Sequence, residues 1–489
     1  MGSMTALLVL ALLVPAPPDT LVVGTLADPL SLEPHRATDL LSAAIIGNVC
    51  ETLVRYKADG TRPEASLATA WANEHGRVWT FTLREGVRFH DGAPLDADAV
   101  VANLDNLRRE RGFPGRAHRV GPRVVSITLD RPNAALLATL SQPFFSLQSP
   151  RELARGATGR PVGTGPFRFR SSSAGLVELT PNWTYWAGPP RLGAIVFRRF
   201  RREESLAAAL LSGEVDVSSA VGFQRLPHLR ASPDIALHSK TGLNIAFLAL
   251  NNERRPLDDR RVRQAIASAI DRPALVSRFL GGHGLPARNP LPPSLWGYSA
   301  RTKDLTLDRA AARRLLSEAG LPGGFDVTLL AVDAPRPYLP APLAEAAQIR
   351  DDLARVGIRV TIRRAPTWAE YLETAGRGQY DMAVMGWQAD TMDPNDFLST
   401  LLASESVGAT NRSRYRSTAM DALLKRGRRG GGPAERLAAY ADAQALFQRD
   451  MPWVPLYHVS IFWAARRGVR GLAVDSTGLL RYDKTWKAP

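Results

Sequence analysis

Apolar positions along this chain switch repeatedly between two spacings. From Val78, the residues Trp79, Phe81 and Leu83 alternate with polar neighbours, which predicts a strand. Gly86 and the pair Asp91-Gly92 then mark turns. Beyond Asp96, a predicted cap, Val100, Val101, Leu104 and Leu107 fall on one face of a helix. The same change of period recurs down the chain. Strands are predicted over 21–26, 167–169, 195–200, 245–250, 327–331 and 358–363. Helices are predicted over 40–53, 206–213, 308–319, 341–356 and 433–447, with Thr367 and Glu370 as a capping box for another. Asp258 is the expected cap of a helix carrying Val262, Ile266 and Ile270. Asp271-Arg272-Pro273 restarts a helix with proline at its first position, and Gly281 ends it. Helices and strands in such alternation predict an α/β fold.

The densest stretch is Tyr380 to Leu402. Met382, Ala383, Val384, Met385 and Trp387 read as a buried strand, with Gly386 where another backbone could approach closely. A turn follows with three acids, Asp390, Asp393 and Asp396, around Pro394. A helix capped by Asn395 or Asp396 then carries Phe397, Leu398, Leu401 and Leu402. Carboxylates at the mouth of a buried strand suit a cationic ligand group, because a buried charge must be paired. Turn formation and helix capping are the competing explanation for each acid.

Composition narrows the classes. At 489 residues the chain exceeds one ordinary core, so two or three lobes are expected. A net charge of +15 raises nucleic acid as a partner, but the arginines are scattered and no nucleic-acid-binding motif occurs, which favours a solvated arginine-rich surface. One cysteine, Cys50, excludes an intrachain disulfide framework and reads as a small buried side chain. The run 5–14 is apolar, too short to span a bilayer and broken by Pro15, Pro17 and Pro18. It predicts a signal peptide over 1–18, although no lysine or arginine precedes it and no lipobox cysteine follows. Eight histidines lack metal spacing, and His90 beside Asp91 reads as a turn residue. Gly163-Thr164-Gly165 runs into Pro166, so it is a turn and not a phosphate cradle. Neither a nucleophile elbow nor HExxH is present, so no enzyme, metal or cofactor is expected. Lys425 to Gly432 reads as a basic, glycine-rich connector.

Four stretches carry a resemblance: WTFTLREGVRFHDGAP from Trp79, PVGTGPF from Pro161, LNIAFLALNNERRPLDD from Leu243 and GWQADTMDPNDFL from Gly386. In that order they resemble the extracytoplasmic solute-binding proteins of ABC importers, family 5, which carry peptides and nickel. The resemblance implies a periplasmic-binding-protein-like type II α/β fold of two large lobes with an inserted subdomain (cluster C type). Lobe I would comprise 19–45, 161–245 and 456–489, the inserted subdomain 46–160, and lobe II 246–455, with hinge residues Asn244, Asn251 and Leu456. A ligand would pair its main chain with strand ends at Ala27, Asp28 and Leu30 and at Met385, Gly386, Trp387 and Gln388. Asp390 would meet its α-amino group, Trp368 and Trp387 would wall the pocket, and Tyr457 or His458 would face the cleft. Arginines that hold a peptide C-terminus in oligopeptide-binding relatives align with Ala375 and Val384, with Arg377 a nearby substitute. The partners implied are a peptide or other small solute and the permease subunits, for a monomeric, extracytoplasmic protein. A nickel chelate, opine or oligosaccharide is the alternative cargo, and nucleic-acid binding the alternative class.

Overall fold

The computed structural model describes residues 19–57, 60, 62–156, 158–219, 221–303, 306–429, 432–475 and 477–488, so the 1–18 leader lies outside them. Ten strands follow one another across a mixed sheet, and two more join it on the strand Trp453–Arg466. In lobe I, Thr20–Thr25 runs parallel to both Ala194–Arg199 and Val217–Ser218. In lobe II, Phe325–Val332 pairs in parallel with Ile358–Ala365, and Met382–Gln388 lies antiparallel to Asn244–Leu250. Helices such as Pro342–Ala354 pack on these strands and bury the apolar face that the sequence periodicity marks. A separate four-stranded sheet within 68–129, with the helix Ala97–Arg111 against it, forms the inserted unit and has its own core around Phe81, Val100 and Ile127.

The strand Trp453–Arg466 joins the lobes. Its first residues pair with Asn244–Leu250 (Ala246 opposite Tyr457), its last with Ile235–Thr241 (Thr241 opposite Ser460). Between these registers the Asn244 carboxamide acts as a spare peptide group. It donates to the Val459 carbonyl at 3.0 Å and accepts from the Val459 N–H at 2.7 Å. Gly242 makes room for this, because a Cβ there would collide with the Asn244 amide. Leu456 lies buried at the adjoining irregularity, and its carbonyl accepts from the Ala287 N–H at 3.0 Å. Asn251, expected at a hinge, sits at the far end of the lobe II strand instead. Its amide donates to the Gly378 and Tyr380 carbonyls, so it is a turn lock within one lobe.

Several boundaries shift for local reasons. The first helix stops at Val49, because Cys50 is already extended and its N–H closes on Ile46. Asp259 rather than Asp258 caps the helix Arg260–Ala269, accepting from the Arg261 N–H at 2.8 Å. Asp271 caps Arg272–Leu280, where Pro273 is second rather than first. The predicted connector from Lys425 begins as the end of the helix Thr418–Arg429, and Gly430 and Gly431 lie outside the described residues. Nor do all the arginines serve a solvated surface: Arg263, buried, donates to the carbonyls of Leu257, Asp258, Asp450 and Met451 and so closes a helix end.

Candidate functional site at the interlobe cleft

The three acids after Trp387 have separate tasks. Asp393, fully buried, caps the helix Pro394–Leu402 by accepting from the Asn395 N–H at 3.0 Å, with Pro394 at the first helical position. This corrects the expected cap at Asn395 or Asp396. The Asp393 carboxylate also receives Arg436 at 2.7 and 2.8 Å. Asp396 folds back on the loop, accepting from the Trp387 indole at 3.2 Å and from the N–H groups of Asp390 and Thr391 at 3.0 and 2.9 Å. Burial and the nearby Asp390 charge push its carboxyl up to about 6. Asp390 alone keeps its carboxylate free, with no hydrogen bond or ion pair among the described residues. Asp390 is exposed, and the partial desolvation it still suffers raises its carboxyl above the ordinary range, against the pull of Arg111 in the inserted unit.

Asp390, Thr391 and Met392 line one side of a cavity of about 240 Å³. The other side comes from lobe I and the inserted unit, including Glu51, Tyr56, Ser146 and Arg481. Glu51 accepts from Thr164, the Tyr185 hydroxyl and the Trp186 indole at 2.7, 2.7 and 2.9 Å. Burial pushes its carboxyl up against those three donors. Arg111, at the end of the helix Ala97–Arg111, donates to the Ala37 carbonyl, and its guanidinium lies 4.9 Å from the centre of the Phe144 ring. The sequence reading missed Glu51 and Arg111. A lone acid closing the apolar run 45–50 was the only local signal for Glu51, and Arg111 looked like an ordinary cation at a helix end.

The lobe II strand end is open along one edge. Pairing with Phe325–Val332 stops at Leu330 opposite Ala383. The Ala389 N–H donates to Leu243, so odd-numbered backbone groups here face Asn244–Leu250 and even-numbered ones face away. The Val384 carbonyl on that outer side is taken by the Tyr371 hydroxyl, which leaves the outward backbone groups of Gly386 and Gln388 without a strand partner among the described residues. Tyr338 lies against Gly386, where a Cβ would collide with its ring. Met385 is buried against the lobe II core, and Trp387 is half-buried.

The remaining expected residues separate. Ala27 and Leu30 are exposed, and Leu30 with Leu26 and Leu40 offers bare apolar surface. Asp28 is tied to its own lobe by the Gly175 N–H at 3.0 Å and Arg199 at 2.8 Å. Trp368 stacks on Tyr371, ring centres 5.2 Å apart, under the Arg336 guanidinium at 3.8 Å. It is clamped within lobe II and does not line the cavity beside Asp390. Tyr457 is a correction: it is fully buried and donates its hydroxyl to Glu345 in lobe II. His458 is buried as well, its Nδ1 2.7 Å from the Asn244 carbonyl, and burial lowers it to about 4. Arg377 pairs with Glu373 at 2.6 Å on the surface, while Ala375 and Val384 are buried, so no cation stands at the aligned positions. Among the described residues no His, Cys, Asp or Glu cluster could hold a metal ion, and no helix is long and apolar enough to cross a membrane.

Two lobes joined by paired crossing strands, with an open strand edge and a free carboxylate at the gap, define a cleft-type binding protein. The chain belongs to the bacterial extracellular solute-binding proteins, family 5, whose model for the middle region matches residues 62–409, and it is the solute-binding component of an ABC importer. It is 30% identical to the Heme-binding protein A of Haemophilus influenzae over 94% of this chain and 91% of that one. It is also 30% identical to the Dipeptide-binding protein of Escherichia coli, over 88% and 87%. An ABC transporter-associated periplasmic binding protein of Helicobacter pylori, solved in complex with the peptide STSA, superposes with a TM-score of 0.75. It is 29% identical, over 96% of this chain and 98% of that one.

Proposed function

We propose that this chain captures a short peptide between its lobes and presents it, as a monomer, to permease subunits in the membrane. The observation that carries the reading is the division of labour among the three acids. Asp393 and Asp396 are consumed by the loop, whereas Asp390 faces the gap unpaired. A free carboxylate in a partly dehydrated cleft is a receptor for an ammonium group. The unpaired main chain of Gly386 and Gln388 adds sequence-tolerant pairing to an extended ligand, a form of β-augmentation. The names of the dipeptide-binding relative and of the peptide complex favour the same cargo.

In this reading Asn244 and Leu456 belong to the hinge, and Ala27 and Leu30 form the lobe I lip over the ligand. Closure has to be favoured by the cargo, because a ligand shifts an equilibrium only by its difference in affinity for the two states. The protein transports rather than catalyses and is exported through the leader 1–18. Calorimetry of the purified chain against a library of dipeptides, beside mass spectrometry of what copurifies, tests the proposal. Saturable binding of dipeptides with a free α-amino group is the expected result. Retention of a non-peptide solute, with indifference to every peptide, would overturn it.

A further inference from the structure

We propose that Arg481 is a specificity-determining residue on the lobe I wall of the cleft, where its guanidinium takes a carboxylate of the cargo. This deepens the peptide-capture reading and rests on it. Arg481 and Asp390 line the same cavity of about 240 Å³, Asp390 from the end of the lobe II strand and Arg481 from the C-terminal segment of lobe I. The residues on either side of Arg481 aim it there. Leu480 and Tyr482 are buried in the lobe I core, and one side chain of the helix Leu40–Val49 ties down both. The Asn48 amide donates to the Leu480 carbonyl at 3.4 Å, and its oxygen accepts from the Tyr482 N–H at 3.1 Å. Successive side chains on a strand point to opposite faces, so Arg481 is turned away from that core and toward the gap. Its backbone pairs with Ala473 on the neighbouring strand, which fixes the base of the side chain.

The guanidinium is unclaimed. Its Nε is buried without an acceptor, and the side chain makes no hydrogen bond or ion pair among the described residues. Nor do the acids of the cavity neutralise it. Glu51 is held by its three donors, Glu64 pairs with Arg55 at 2.8 Å, and Asp475 accepts from Thr477 and Leu479 within its own loop. Asp483 lines the same wall without an ion pair to Arg481. A guanidinium in this condition is a receptor for a carboxylate, which it binds through a fork of N–H donors. With no cation at positions 375 and 384 of lobe II, the anion site then lies on the lobe opposite Asp390. A cargo that carries both charges has one held by each lobe, and that favours the closed state over the open one.

Calorimetry with Ala-Ala, Ala-Ala amide and Ala-Glu amide tests this on the wild-type chain. The first carries a terminal carboxylate, the second none, and the third a carboxylate on its side chain alone. At least one carboxylate-bearing peptide is expected to bind about 10- to 100-fold more tightly than Ala-Ala amide, the scale of a hydrogen bond to a charged group. Comparison of Ala-Ala with Ala-Glu amide identifies the source of the carboxylate. Arg481→Gln should bind the preferred peptide no better than the wild type binds Ala-Ala amide, with its melting temperature held, and Arg481→Lys should restore part of the preference. Equal affinity for all three peptides in the wild type, or a preference that survives in Arg481→Gln, overturns the assignment and leaves peptide capture standing. Failure of all three to bind the wild type overturns both.

Discussion

The strand ends on the two sides of the cleft were expected to serve a ligand alike, and they are built differently. On lobe I, the chain after Thr25 satisfies itself. The Thr25 hydroxyl donates to Ala27, Asp28 is bound by Gly175 and Arg199, and Asp39 accepts from the Leu30 N–H. What remains for a partner is apolar: Leu26, Leu30 and Leu40, of which Leu30 is 76% exposed. On lobe II, Asp396 gathers the loop and thereby leaves both a backbone edge and a carboxylate unclaimed. Under the proposed function, lobe II would read positive charge and direction, while this part of lobe I would close over the ligand as an apolar lip. A water-excluding lip strengthens the pair it covers, since an ion pair gains as water leaves.

The largest test of this contrast is Asp390→Asn. Dipeptide affinity should fall about 100-fold or more, as when one member of a buried charge pair is removed, with the melting temperature held or raised. Unchanged calorimetric affinity would remove lobe II from charge recognition. Next in size is Gly386→Ala, whose added methyl would meet both the Tyr338 ring and the Ile245 carbonyl of the neighbouring strand. Overpacking of this kind costs about 1–3 kcal/mol, and Tyr338→Ala in the same chain should recover only the part due to the ring in denaturant titrations. Asp396→Asn gives a pH signature. The folded carboxyl sits near 6, above its unfolded value of 3.8, so the folded state holds the proton more tightly. Its burden on stability is full above pH 6 and is relieved as pH falls toward 4. Wild type should therefore gain melting temperature relative to the variant across that window, and parallel curves would contradict the assignment. The smallest effect is expected from Asp28→Asn. Its pair with Arg199 is exposed, so ligand affinity should move by less than about threefold and stability by no more than about 1 kcal/mol. A loss comparable to Asp390→Asn would erase the contrast altogether.

Elements with a strong period were legible in the sequence, because burial of one face imposes it. The strand Val78–Leu83 and the helix Ala97–Arg111 with its Asp96 cap are examples. Caps were less so. Asp393 was overlooked in favour of Asn395 or Asp396, although Asp-Pro places proline at the first helical position and names its predecessor as the cap. The two strand ends resembled each other in sequence because what separates them is long-range. Asp28 finds its partners at positions 175 and 199. Tyr457 was misplaced for the same reason, its acceptor Glu345 being more than a hundred residues away. Asn251 could not be told from Asn244 locally, since both end the same strand and only distant carbonyls distinguish them.

The Asn244–Val459 graft has a mechanical consequence. Since its bonds run through a side chain with its own rotatable torsions, the ribbon between the lobes is continuous in hydrogen bonding yet not rigid in angle. If the proposed hinge lies here, the two halves would turn about torsions of one side chain, and opening would be resisted by twist rather than by loss of these hydrogen bonds.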